Sequence, residues 1–211
     1  MSVTLGELKN QIIRNVGDDP DATGTDIPDE MILDSVNAAL NAILPSCWKP
    51  ATSALTGAAS SYALPSDIFE VQAVWDADAK TFLDSAILAP GEPTANATGN
   101  GWFLYPYGYI SFYTALSASG GTLYYSATWD KPTVDSDVIE APAYATTGLA
   151  LYGASYAILM RIGAQSRLGN YKTRIDSGTP EDNPLLDYST YLLKRFDIEM
   201  SRLPRIVRGV R

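Results

Sequence analysis

The chain has 211 residues, a net charge of −9 at neutral pH and an apolar share of 46%, which suits one packed domain, or one domain with an insertion, and argues against wholesale disorder. It contains no histidine and a single cysteine, Cys47, which excludes imidazole catalysis, histidine-ligated zinc, disulfide frameworks and cysteine-rich metal sites. The acidic balance argues against sequence-independent nucleic-acid binding over the whole surface, because phosphate affinity comes from Lys and Arg.

The first helix is expected from Thr4, since Thr4-Leu-Gly-Glu7 has the form of a capping box. Leu5, Leu8, Ile12 and Val16 follow at three- and four-residue steps and make one apolar stripe, and Gly17 ends it. Pro28 suits the first turn of a second helix, with Asp29 and Glu30 at its positive end and Ile32, Val36, Leu40, Ile43 and Leu44 as its buried face. Pro45 stops it. After Trp48 the texture becomes β-favouring, with strands expected near 52–56, 60–63, 69–76, 80–84, 101–105, 108–114 and 121–129, an exposed loop over 89–101, and a turn at Ser119-Gly-Gly121 between the last two strands. Helix returns after Pro142 in an Ala-rich segment carrying Leu149, Tyr152, Tyr156, Leu159 and Met160, expected to be buried on most sides. A polar stretch over 168–184 precedes a last helix marked by Leu185, Leu192, Leu193, Phe196, Met200 and Leu203, which Pro204 ends.

The fold class is therefore α+β: an antiparallel helical core of about four helices with an inserted small β-sandwich or barrel-like domain and an extended C-terminal tail. Its parts are a helical hairpin over 1–48, a β-rich insertion over 49–139, the second part of the helical core over 140–202 and a basic docking tail over 203–211. The opening residues lack the basic and apolar regions of a signal peptide, and no apolar run reaches the length of a membrane span. The expectation is a soluble protein made in the cytoplasm, with no membrane partner.

Three internal clusters are candidates for chemistry. The loop between the first two helices places Asp19, Asp21, Thr23, Gly24 and Glu30 at positions one, three, five, six and twelve of an EF-hand pattern. Asp26 stands where that pattern has an apolar residue, so a solvated loop that caps the second helix is the preferred reading, with cation binding over Asp19–Glu30 as the alternative. Carboxylate pairs at Asp76/Asp78 and Asp135/Asp137 sit beside turn residues and read as turn chemistry rather than as a hydrolytic pair. Aromatics concentrate over residues 102–129. Trp102, Tyr105, Tyr107 and Tyr109 are candidates for a subunit interface, and the same block, if it exposed three coplanar rings, would suit a carbohydrate-binding module. No phosphate loop or nucleophile motif is present, so no catalytic residue, metal ligand or cofactor is assigned and the chain is read as a non-enzyme, with carboxylate-only catalysis as a further alternative.

The C-terminal residues stand apart in charge. Residues 1–160 hold five Lys/Arg against eighteen Asp/Glu, and residues 161–211 hold ten against six. Arg202, Arg205, Arg208 and Arg211 recur at every third position, which would align them along one edge of a three-residue-per-turn conformation. Ile206, Val207 and Val210 lie between them, giving a peptide able to make both apolar contacts and bidentate Arg–carboxylate pairs with an acidic groove.

Several phrases in order resemble the head–tail adaptor (connector) proteins of tailed bacteriophages. They are Val3-Thr-Leu-Gly-Glu-Leu-Lys9, the second helix with its Asn37-Ala-Ala39, Ser61-Tyr-Ala-Leu-Pro-Ser-Asp-Ile68, Gly121-Thr-Leu-Tyr-Tyr125, Trp129-Asp-Lys-Pro132, residues 135–139, and Pro142-Ala-Tyr144 leading into an Ala/Tyr-rich helix. The resemblance implies a virion protein of the neck that forms a homo-oligomeric ring of about twelve copies beneath the portal protein. It implies a tail or head-completion protein on the other side, genomic DNA passing non-specifically through the channel, and a C-terminal segment that anchors in the portal. On this reading Arg202, Arg205, Ile206, Val207, Arg208, Val210 and Arg211 are the portal-docking residues.

Overall fold

The computed structural model describes residues 3–20, 27–85, 101–105, 108–167 and 184–203. The chain divides into two compact units, a helical unit of residues 1–48 and 129–211 and a β unit of residues 49–128.

In the helical unit, α1 (Leu5–Val16) starts on the expected capping box, with the Thr4 hydroxyl accepting from Glu7 N at 3.3 Å and Thr4 N donating to the Glu7 carboxylate at 2.9 Å. Gly17 ends it in the left-handed region at φ 96°, donating to Arg14 O at 3.1 Å while Asp18 N donates to Ile13 O at 3.1 Å. That pair of bonds satisfies carbonyls the helix would otherwise leave unpaired. The second helix, α2 (Asp29–Ile43), begins on Pro28 and gathers negative charge in its first turn, opposite the partial positive charge of the helix end. Both helices pack chiefly against α3 (Thr146–Arg167), which also packs against α4 (Pro184–Arg202). The first two helices are thus joined through α3 more than through each other.

The central helix is buried through small residues more than through its aromatics. Leu149, Ala150, Leu151, Ala154, Ala157 and Ile158 are buried, whereas Tyr156 and Leu159, expected inside, reach solvent. Alanine, serine and glycine let the neighbouring helices approach closely. A Cβ on Gly153 would stand 2.6 Å from Ile12 Cδ1, and the Ser155 and Ser189 hydroxyls bond across the α3–α4 contact at 2.8 Å. Leu192, Phe196 and Met200 are the buried stripe of α4.

Among the described residues the β unit contains seven strands: β1 (Lys49–Leu55), β2 (Ser61–Ala63), β3 (Ile68–Asp76), β4 (Thr81–Ser85), β5 (Gly101–Tyr105), β6 (Tyr109–Phe112) and β7 (Gly121–Ala127). They form one curled half-barrel sheet in the order β1-β7-β3-β4-β5-β6-β2, so of the two β forms the sequence allowed, the barrel-like one is adopted. All pairings are antiparallel except the short β4–β5 contact at Asp84↔Gly101 and Ser85↔Trp102. Alternation along the central strands turns Val74, Leu83, Leu123 and Tyr125 to the inner face. The Ser119–Gly121 turn does precede β7, but β6 and β7 are not a hairpin. The chain crosses to insert β7 between β1 and β3, where Leu123 and Tyr125 join the buried face.

Gly120 makes that insertion possible. It holds φ 68°, and any Cβ on it would collide with the carbonyl oxygen of Leu55 at the end of β1. At Gly17 φ is 96° with open space around the Cβ position, so only backbone strain opposes a side chain there. Gly17→Ala should therefore cost about 1 kcal/mol and Gly120→Ala about 3 kcal/mol or more. Urea unfolding of the two variants checks the order, and an equal loss would show that the Leu55 contact relaxes freely.

Candidate functional site

Among the described residues the candidate side chains serve structural contacts. Among the described residues no group of three or more acidic or thiol side chains is placed to hold a metal ion. A cavity of about 160 Å³ in the β unit is lined by Asp76, Leu83, Gly101 and residues 114–117, smaller than the ~300 Å³ at which small-molecule sites begin. Cys47 is buried, and burial pushes its thiol pKa up against the opposing contact with the Tyr144 hydroxyl at 3.8 Å, the reverse of what an activated nucleophile needs.

Both carboxylate pairs organise backbone. The Asp76 carboxylate accepts Asp78 N at 2.9 Å and Ala79 N at 3.0 Å and shapes the β3–β4 turn. Asp137 accepts Thr133 N at 2.7 Å and Val134 N at 3.0 Å, and these main-chain donors hold its carboxyl below the ordinary range. The carbonyls of the same segment cap α1: Leu5 N donates to Asp137 O at 2.8 Å and Gly6 N to Asp135 O at 3.0 Å. The Asp135 carboxylate has a separate partner, Lys9, whose Nζ lies 2.8 Å from it and 3.0 Å from Asp29. Lys9 is only 7% exposed, whereas both carboxylates remain largely in water. Desolvation works to lower the Lys9 pKa, but the hydrogen bonds and charges of Asp135 and Asp29 outweigh it and the net shift is upward. This triad ties α1, α2 and the 133–139 segment together. Sequence reading missed it because Lys9, four residues after Leu5 and three before Ile12, shares the apolar face, where a lone charge reads as solvated until its partners from other segments are in place.

Of the proposed loop ligands, Asp21, Thr23 and Gly24 lie outside the described residues; Asp19 is exposed at the end of α1 and Glu30 is exposed in the first turn of α2.

The aromatic block is divided between core and surface. Trp102 is 8% exposed and donates from Nε1 to Leu83 O at 3.2 Å, so it is a core residue of the β unit rather than an open contact. Tyr109 is 46% exposed on β6. The backbone of Tyr105 pairs with Tyr109 in β5–β6, its side chain is outside the described residues, and so is Tyr107 altogether. Tyr125 is buried, and Trp129 belongs to the helical unit, where its Nε1 donates to Cys47 O at 3.1 Å. The more open aromatic surface joins Tyr124 of this block to two residues outside it. Trp75, Phe82 and Tyr124 converge on the outer face of the sheet, with rings edge to face at 71° and 62°. Rings so inclined do not make the coplanar platform that stacking on a sugar requires.

A second surface lies on α4, where Tyr191 and Ile198 are each half exposed and Arg195 stands over the Tyr191 ring at 6.0 Å. Arg202, at the end of the helix, is exposed and paired with Glu199 at 2.9 Å. The remaining expected docking residues, Arg205, Ile206, Val207, Arg208, Val210 and Arg211, lie outside the described residues. Among the described residues no helix is long and apolar enough to cross a membrane.

The family model described as SU10 adaptor protein matches residues 3–184, most of both units. No curated protein matches the chain. The chain belongs to the SU10 adaptor protein family and is a structural protein of the phage adaptor type.

The Lys9 triad makes an asymmetric prediction. Removing both carboxylates (Asp29→Asn with Asp135→Asn) strands a buried ammonium and should cost about 3 kcal/mol, whereas Lys9→Met frees two exposed carboxylates to water and should cost about 1 kcal/mol. Chemical denaturation of both variants tests the order. The pH dependences have opposite signs. The Lys9 contribution is full below its ordinary value of 10.5 and is lost as pH rises through the higher folded value. The Asp137 contribution is full above 3.8 and is lost as pH falls through its lowered folded value. Amide protection at Thr133 and Val134, measured against the intrinsic exchange rate, should fall once the pH drops below 3.8 and before global unfolding.

Proposed function

We propose, starting from membership in the SU10 adaptor family, that this chain is a head-to-tail connector: an oligomeric ring, of about twelve copies, set beneath the portal and joining capsid to tail around the DNA channel. The observation that carries the reading is the family match across residues 3–184, which takes in the capped α1, the β unit and the whole of α3. The chemistry accords with it. The ion pairs and carboxylates described are structural in role, α4 exposes Tyr191 with Arg195 over its ring, and interfaces are enriched in Tyr, Trp and Arg.

On this reading residues 203–211 dock into the portal. Arg202 presents the first charge of the series at the exposed end of α4, and Arg205, Arg208 and Arg211 continue it, with Ile206, Val207 and Val210 filling apolar pockets. Each contact is weak alone, and repetition around the ring makes attachment strong through effective concentration. The acidic balance of residues 1–160 suits a wall that DNA passes without being held. Tyr109 on the β unit remains a candidate subunit contact with Tyr105 and Tyr107, and the tail or head-completion protein engages the other side of the ring.

Removing residues 203–211 should abolish co-sedimentation with purified portal particles while leaving the chain folded by far-ultraviolet circular dichroism, with only the small loss of melting temperature that the Leu203 contact accounts for. Undiminished attachment of the truncated chain would refute the docking role. A basic channel wall in an imaged ring would refute the passage argument.

A further inference from the structure

The outer face of the sheet in the β unit is open and aromatic. Tyr124 of β7 lies between Thr52 of β1 and Ala73 of β3, and Thr122 lies between Ala54 and Trp75. Phe82 of β4 continues the second row beside Trp75. The residues around the rings are small, and Phe82 is 51% and Tyr124 39% exposed. The rings meet edge to face, at centroid separations of 5.0 Å for Trp75–Phe82 and 5.9 Å for Phe82–Tyr124. A cluster whose rings brace one another has little to lose in ordering when a partner covers it, and exposed apolar patches of this kind mark contact sites.

The charge around the rings has one sign. Glu70 shares their face, since it stands opposite Ser126, two residues from Tyr124. Asp84 is two residues from Phe82 on β4 and points the same way. Both acids are exposed. On these four strands no Lys or Arg shares the face: Lys49 stands opposite the buried Ala127, on the inner side, and Lys80 belongs to the β3–β4 turn. Residues 49–128 as a whole hold two Lys/Arg against six Asp/Glu. The complement of this face is a segment that brings positive charge to the acids and rings and apolar side chains to cover the rings. Phosphates have no cation to meet there.

We infer that this face docks an extended segment of the tail-side protein in which Arg or Lys stands between apolar residues. The inference rests on the connector reading proposed above, in which residues 203–211 serve the portal and the second partner has no assigned surface. Four strands at about 4.8 Å spacing make a face about 14 Å across, which an extended segment of about five residues crosses. Its cations reach Glu70 and Asp84 and lie over ring faces, while its apolar side chains exclude water from Phe82 and Tyr124.

The full chain is tested with two probes: tails isolated from the phage that encodes it, and a fluorescent nonapeptide of alternating Val and Arg with a Val/Glu counterpart. One variant carries Phe82→Ser with Tyr124→Ser, and a second carries Glu70→Lys with Asp84→Lys. All four positions are exposed, and circular dichroism checks that each variant folds. The wild type should bind tails and the Val/Arg peptide, and should bind the Val/Glu peptide about tenfold or more weakly. Both variants should lose about tenfold or more in affinity for tails and for the Val/Arg peptide while sedimenting with portal particles like wild type. The variant with both acids reversed should in exchange gain the Val/Glu peptide, which a damaged fold would not do. Folded variants that bind tails like wild type would overturn the inference, as would a wild type that ignores the Val/Arg peptide or takes both peptides equally. Folded variants that keep tails but lose the portal, or that fail to assemble where wild type does, would give the face to the portal or to a neighbouring copy and equally overturn it. A wild type that binds portal particles but no tails overturns this inference alone; one that binds neither overturns the connector reading as well.

Discussion

The helical unit is closed by the main chain of residues 134–139 lying against the start of α1. Ile139 N donates to Val3 O at 2.8 Å, Leu5 N to Asp137 O at 2.8 Å and Gly6 N to Asp135 O at 3.0 Å. These bonds satisfy donors that the first turn of a helix leaves unpaired, and they join two segments more than a hundred residues apart in sequence. The core of α1, α2, α3 and α4 depends on this closure, because α3 reaches its place between the other helices only after the chain has returned from the β unit. Lys9 reinforces it with charge, since the acid it meets on the returning segment is Asp135 and the acid it meets on α2 is Asp29.

The β unit satisfies the same constraint from its own side. Its first and last strands are neighbours, with Lys49 opposite Ala127, so the chain leaves the sheet beside the point where it entered. An insertion built this way interrupts another unit at little conformational cost, because its ends are already close together. The price within the sheet is a crossover that drives β7 between β1 and β3, through a turn where only a residue without a Cβ fits under the Leu55 carbonyl. Two stable units and a single return path leave exposed surface free for assembly, which accords with an adaptor whose work is to hold other proteins in register.

Much of this was legible in the residues. The capping box at Thr4, the Gly17 stop, the apolar spacing of α1 and α2 and the seven β segments all come from local rules that involve neighbours within one turn or one strand. The turn character of Asp76 was legible for the same reason, since its partners are two and three residues away. Other features were not. Trp102 and Tyr109 have similar local patterns, yet one is core and the other surface, because burial depends on which strands lie across the sheet. Tyr156 and Leu159 match an apolar helical pattern but face outward, since alanines and Ser155 take the close contacts with the neighbouring helices.

Sequence alone thus determined the elements, the capping of α1 and the class of protein, because helix periodicity, strand alternation and a family's ordered phrases are all written along the chain, whereas the expected side-chain cap of α2 is not made, Pro28 standing at its start. It also excluded histidine and disulfide chemistry through simple absence of the residues. Tertiary structure decided the strand order, the partners of Lys9, and the meeting of Trp75 with Phe82 and Tyr124. Each of those is a juxtaposition of residues from separate segments. Such contacts are selected by the collective packing of a core, which no local pattern encodes.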